Sequence, residues 1–116
     1  MRLLYKLLTP NEWEQLLREG HFAGADVDLR DGFIHFSYSD QLHETARKHF
    51  AGRGNLVLAA VSPAGLEEQL RDEVSRGGML FPHLYGMFYT ENIVWSQKIV
   101  PDDNGIPVIG VVPDSI

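Results

Sequence analysis

The sequence predicts an α+β fold in a single small domain, and three observations carry that reading. The chain of 116 residues is the common size for one hydrophobic core and too short for two. Two amphipathic helical segments fall in its first half, and most strand-like runs follow them. No strand–helix–strand unit repeats, which favours a largely antiparallel or mixed sheet over a doubly wound parallel one. The domain is expected to span residues 1–116, with its core over about 3–100 and a C-terminal extension over 101–116.

Leu3 to Leu8 reads as a short strand. Thr9-Pro10-Asn11-Glu12 then opens a helix. Thr9 can accept from the amide three residues on, Glu12 can reach back to close a capping box, and Pro10 sits where a missing N–H costs nothing. Trp13, Leu16 and Leu17 recur at helical spacing, and Gly20 is a natural stop. His21 to Asp31 shows no sustained period and is expected to be a loop carrying Asp26, Asp28 and Asp31 into Gly32. Gly32-Phe33-Ile34-His35-Phe36-Ser37-Tyr38 is aromatic and β-prone; alternation puts Ile34 and Phe36 on one face and Phe33, His35 and Ser37 on the other. Ser39 can cap a second helix and Asp40 suits its positive end, with Leu42, Ala46, His49 and Phe50 as the inward face.

Asn55 to Ser62 is a continuous apolar run of strand length, expected at the centre of a sheet and buried on both sides. Pro63-Ala64-Gly65 ends it. Leu66 to Leu70 suits one helical turn, Arg71 to Ser75 a short edge strand, and Arg76-Gly77-Gly78 a flexible joint. Met79 to Gly86 is the hardest stretch to assign, because Pro82 interrupts the pairing that a central strand needs. Ile93 to Val100 is a late strand, and Asp102-Asp103-Asn104-Gly105 turns the chain towards Ile106 to Val112.

Composition excludes more partners than it names. At 44% hydrophobic and 22% charged residues the chain folds by burial, and its formal charge of −6 disfavours nucleic acid or an anionic membrane as partner. With no cysteine there are no disulfides, thiolate nucleophiles or thiolate metal sites. The apolar N-terminus is broken by Lys6 and lacks a cleavage signal, and no segment approaches the roughly 20 apolar residues of a membrane helix. A cytoplasmic location is the plain expectation.

Two short segments hold the groups with chemical potential. In Asp31-Gly32-Phe33-Ile34-His35-Phe36-Ser37, an imidazole and a hydroxyl two residues apart share a strand face, where they can transfer a proton and fix a sugar or phosphate oxygen. Spacing alone favours an ordinary structural histidine at position 35. In Phe81-Pro82-His83-Leu84-Tyr85-Gly86, His83 and Tyr85 share a face if the segment is extended; an aromatic edge packed over the core reads equally well. Glu73, near Arg71 and Arg76, suits an ion pair or a general base, although a lone carboxylate ordinarily belongs to a solvated face. His43 and His49 lie six apart on the second helix and point different ways. No phosphate-binding glycine loop, dinucleotide fingerprint or serine-hydrolase elbow is present.

The motifs Asp31-Gly32-Phe33-Ile34-His35-Phe36-Ser37 and Phe81-Pro82-His83-Leu84-Tyr85-Gly86, with Gln41, Thr45-Ala46 and Phe50-Ala51-Gly52, resemble the bacterial family known as domain of unknown function 952. The resemblance runs from Tyr5-Lys6 and Trp13 to about Val100 and implies no particular activity. More distantly, the order of a strand at Leu4-Tyr5-Lys6, a capped helix to Gly20, a strand to Ser37 and a helix to Phe50-Ala51 is similar to the first half of ADP-ribosyltransferase-type domains. That likeness implies a split sheet with NAD, or a related nucleotide, bound between its halves. It sets His35-Phe36-Ser37 beside the nicotinamide, and Lys6 where many such enzymes place a histidine on the adenosine ribose. The glutamate those enzymes carry on a late strand has no counterpart in Met79 to Tyr85, which offers His83 instead; Glu73 and Glu91 are the nearest carboxylates.

The resulting expectation is a cleft lined by His35, Ser37, His83 and Tyr85, with Asp31 at the rim and Lys6 beside it. It would bind a nucleotide or ADP-ribose-like small molecule, with His35 or His83 as acid and base if the protein is a transferase or hydrolase. An alternative is an interaction or homodimerisation module that presents Phe81, Tyr85, Phe88, Tyr89 and Trp95 as a protein-facing patch. A third is a metal-dependent hydrolase using His35, His83 and one of Asp26, Asp28 or Asp31.

Overall fold

A computed structural model describes residues 1–116. The chain is a small α+β domain in which two three-stranded antiparallel sheets pack around a shared core. The first sheet has the order β1-β4-β8, formed by β1 (Leu4–Leu8), β4 (Leu56–Val61) and β8 (Ile93–Ile99). The second has the order β3-β6-β5, formed by β3 (Ile34–His35), β6 (Leu80–Leu84) and β5 (Leu70–Val74). A two-stranded ribbon of β2 (His21–Phe22) and β7 (Phe88–Tyr89) completes the strands. The helices are α1 (Pro10–Glu19), α2 (Asp26–Asp31) and α3 (Leu42–His49). None is long and apolar enough to cross a membrane.

The first sheet is a two-sided core. Every residue of β1 and β4 is buried, and alternation divides them between two clusters. Leu4, Leu8, Ala59 and Val61 face α1 and the second sheet, packing with Leu16, Ile34, Phe36, Leu84 and Phe88. Leu3, Tyr5, Leu7, Leu56, Leu58 and Ala60 face α3, packing with Leu42, Ala46 and Ile99, while Ile109 and Val112 of the C-terminal extension lie against them. That extension is tied down by a bond from the Tyr5 hydroxyl to the Pro113 carbonyl and by the Leu3 amide bonding to Asp114 O at 2.9 Å.

Local signals place α1 as expected. The Glu12 amide donates to Thr9 Oγ1 at 3.1 Å and Glu12 Oε1 accepts from the Thr9 amide at 2.8 Å, closing the capping box. Gly20 ends the helix in the left-handed region at φ 80°, where any other residue would be strained.

Four expectations need correction. His21 to Asp31 is not a loop: it contains β2 and the six-residue α2, whose start is held by Asp28 Oδ2 accepting from the Ala25 amide at 2.8 Å. With α2 the chain has three α-helices, so two early helices undercounted them. Ser39 does not cap α3; its hydroxyl donates to Asp114 at 2.9 Å, and the Gln41 side chain instead joins the Tyr38 amide to the Leu80 carbonyl.

Pro82, lastly, sits within the central strand of the second sheet without breaking it. Residue 82 pairs with Asp72 of β5 and turns its carbonyl the other way, where the Phe36 amide bonds to it at 3.1 Å. The missing N–H therefore falls beyond the end of β3, and no bond to β5 is lost. Past that point the chain leaves the second sheet, and Ser37 exchanges both backbone bonds with Tyr5 of β1 at 2.8 and 2.9 Å.

Candidate functional site

The segment that crosses between the sheets borders a cleft of about 480 Å³. Lys6, Asp28, Asp31, His35, Ser37, Thr45, His49, Arg53, Arg76 and His83 all reach it. Antiparallel pairing sets His35 of β3 opposite His83 of β6, with their ring centroids 5.4 Å apart. The ring of Phe33 lies across both, 4.1 Å from His83 in a near-parallel stack and 4.6 Å from His35, and reaches Tyr85 at 5.2 Å.

The two imidazoles are held differently. His35 touches a carboxylate through each ring nitrogen: Nδ1 lies 2.7 Å from Asp28 Oδ1 and Nε2 3.1 Å from Asp31 Oδ2. His83 uses only Nδ1, 2.8 Å from Glu73 Oε1, and the Tyr85 hydroxyl donates to the same oxygen at 2.7 Å. Its Nε2 has no partner in the chain, and no buried polar side-chain atom is left unpaired, so that nitrogen opens to solvent.

Asp28 anchors the His35 side. Besides the imidazole it accepts from the His35 amide at 3.0 Å and the Ala25 amide at 2.8 Å, and it meets the Lys6 ammonium at 3.0 Å. Burial pushes its carboxyl up; the His35 ring, the Lys6 charge and the two amides outweigh that and bring it down to about 2. Lys6 also donates to the His35 carbonyl at 2.9 Å. Gly24 leaves room for this carboxylate, because a Cβ there would stand 2.8 Å from Asp28 Cβ. On the His83 side, hydrogen bonds from Tyr85 and His83 hold the Glu73 carboxyl below its usual range, and Glu73 in turn raises the Tyr85 phenol.

Of the residues singled out in the sequence, His35, Ser37, His83, Asp31 and Lys6 reach one cleft. Tyr85 does not line it and acts on it only through Glu73 and Phe33. Lys6 is committed to Asp28, and Glu73 takes a histidine and a tyrosine rather than Arg71 or Arg76. His43 lies away from the cleft, with Nε2 3.0 Å from the carbonyls of Ile109 and Gly110. No three acidic or histidine side chains converge as a set of metal ligands. Phe81 and Phe88 are buried, which leaves Tyr85, Tyr89 and half-buried Trp95 as the accessible members of the expected aromatic patch.

Sequence reasoning did not place Thr45, His49, Arg53 or Arg76 at the cleft, although Thr45 stood among the residues that carry the family resemblance. The Ser37 and Thr45 hydroxyls lie 2.9 Å apart, and Arg76 donates to Thr45 Oγ1 at 3.0 Å. These residues come from α3, the loop after it and the β5–β6 turn, and no motif joins them. The two glycines after Arg76 were the one available signal that the chain bends sharply there.

The comparisons with known proteins agree on fold and lineage. A crystal structure of protein CC0527 from Caulobacter crescentus is similar over 91% of this chain and 93% of that one, at 44% identity and a TM-score of 0.87. Its solution NMR structure is similar over 92% of each chain, at 45% identity and a TM-score of 0.80. Among curated proteins none matches. The profile of the family described as "Protein of unknown function (DUF952)" matches residues 7–96, most of the chain, and the protein belongs to that family.

Proposed function

We propose that the cleft between the two sheets binds a polar small molecule of the nucleotide or ADP-ribose type. The observation that carries this reading is the convergence of His35 and His83, each fixed by a carboxylate, on one cavity large enough for such a ligand. Phe33, stacked on His83, stiffens the pair, while Ser37 offers a hydroxyl to a sugar. The split between two antiparallel sheets is also the arrangement that the distant likeness to ADP-ribosyltransferase-type domains implies.

The carboxylate clamp assigns the roles. His35, held through Nδ1 by Asp28 with Asp31 beside Nε2, serves as a fixed wall that orients the ligand. His83 retains an open Nε2 and an orienting glutamate, and would act as the acid or base of a transfer or hydrolysis reaction. A thermal-shift and calorimetric screen against NAD, ADP-ribose and adenosine nucleotides tests the reading. The expected result is saturable binding that weakens in His35→Ala and in His83→Asn. Absence of binding by the wild type, or equal binding by both variants, overturns it.

A further inference from the structure

The charges around the cleft do not balance locally. Its two carboxylates are both occupied: Asp28 holds Lys6 and His35, and Asp31 meets Arg30 at 3.2 Å and His35 at 3.1 Å. Arg53 and Arg76 line the same cavity and neither pairs with a carboxylate, although the chain has 16 acidic against 10 basic residues. An acidic protein has carboxylates to spare, so two unpaired guanidiniums facing one hollow are a local arrangement and not a consequence of composition.

Arg76 is also held in place. One guanidinium nitrogen donates to Thr45 Oγ1 at 3.0 Å, and Thr45 is braced by Ser37 at 2.9 Å. Its planar group lies over the Phe81 ring, 4.9 Å from the centroid, while Arg53 lies 5.5 Å from the Phe50 ring centroid. Of the five N–H groups of Arg76, one is used within the chain, which leaves a preorganised fork. His49 lines the same cleft, and its imidazole is held below the usual range by burial and by the charges of Arg76, Lys48 and His35. The carboxyl end of α3 adds only about half a negative charge there, less than either guanidinium contributes.

We propose that Arg76, with Arg53 beside it, forms the anion-binding end of the cleft and takes the phosphate or diphosphate of the ligand. Resting on the small-molecule reading above, this places phosphate at the Arg76 end and the sugar or reacting group at the His35–His83 end. Thr45 is a positioning residue for Arg76. The geometry suits a planar fork on two phosphate oxygens, which lysine cannot reproduce.

Calorimetry with inorganic pyrophosphate at low ionic strength, read beside amide chemical shifts, tests this on the full chain. Wild type should bind with shifts at Thr45, Arg53 and Arg76. Arg76→Gln should weaken binding roughly tenfold or more, Arg76→Lys and Thr45→Val by smaller factors, and Arg18→Gln, an equal charge change on the outer face of α1, by little. No binding by wild type, or equal losses in Arg76→Gln and Arg18→Gln, overturns the proposal. Thr45→Val keeps every charge, so it decides the matter if Arg76→Gln fails to fold. Adenosine titrated in parallel separates the two readings. Pyrophosphate that depends on Arg76, with adenosine leaving His35 and His83 unshifted, sinks the nucleotide reading alone. The reverse pattern sinks the anion site alone.

Discussion

The two three-stranded sheets differ in what they bury. Lys6 apart, the first sheet buries only apolar side chains in β1 and β4, with a core cluster on each side. The second buries Pro82 and His83 in its central strand, and its flanking strands carry His35 and Glu73 into a hydrogen-bonded array. Burial against two layers gives the first sheet most of its stability, with Tyr5 and Lys6 supplying its side-chain polar contacts. The second holds polar groups in a partly dry setting, where each must find a partner, so its geometry is fixed by hydrogen bonds. Apolar burial and polar pairing are thus divided between the sheets, and Lys6, the buried cation of the first sheet, reaches across the division to Asp28.

Asp28→Asn attacks that link and carries the largest expected effect. It removes the acid from a buried pair with Lys6 and should cost about 3–5 kcal/mol in denaturant unfolding; a loss as small as that of an exposed aspartate would show that the second sheet does not depend on its ion cluster. Leu58→Ala, in the fully buried centre of β4, should cost about 2–5 kcal/mol while leaving ligand affinity in the folded fraction unchanged. A change in affinity there would blur the division.

Acid offers a gentler probe. Because the folded Asp28 carboxyl is lowered from 3.8 to about 2, its contribution is full above pH 4 or so and is lost as pH falls from near 3.8 towards about 2. That contribution is about 2 kcal/mol, and the stability of Asp28→Asn should lack this component of the acid dependence. The smallest effect is expected at Glu73→Gln. Removing that charge should let the Tyr85 phenol fall back towards 10.0, as followed by tyrosinate absorbance, with the unfolding midpoint unmoved. An unchanged Tyr85 titration would mean that Glu73 does not orient the His83 side.

Legibility in the sequence follows the range of the forces involved. The Thr9–Glu12 box and Gly20 stop were readable because capping acts within four residues, and β4 because a run buried on both faces needs no alternation. The short helix α2 was invisible: Ala25 is no capping residue, Val27 and Leu29 are exposed, and the stabilising acid sits inside the helix. Pro82 misled because the rule for central strands does not say which neighbour the missing donor would have faced. His35 and His83 were found through residue type, and their convergence depended on the register of β3 with β6. Arg53 and Arg76 gave no signal of a shared site, since the first marks a loop and the second only a bend until tertiary packing brings both to the cleft.

Pro82 has one more consequence. Pairing residues 36 and 82 would ordinarily exchange two backbone bonds, and here only the Phe36 amide finds its partner. With nothing returned to the Phe36 carbonyl, the zipper between β3 and β6 has a built-in stop one pair beyond the histidines. The chain is released at that point to join Tyr5, and the crossing residues Phe36 and Ser37 come to line the cleft between the sheets.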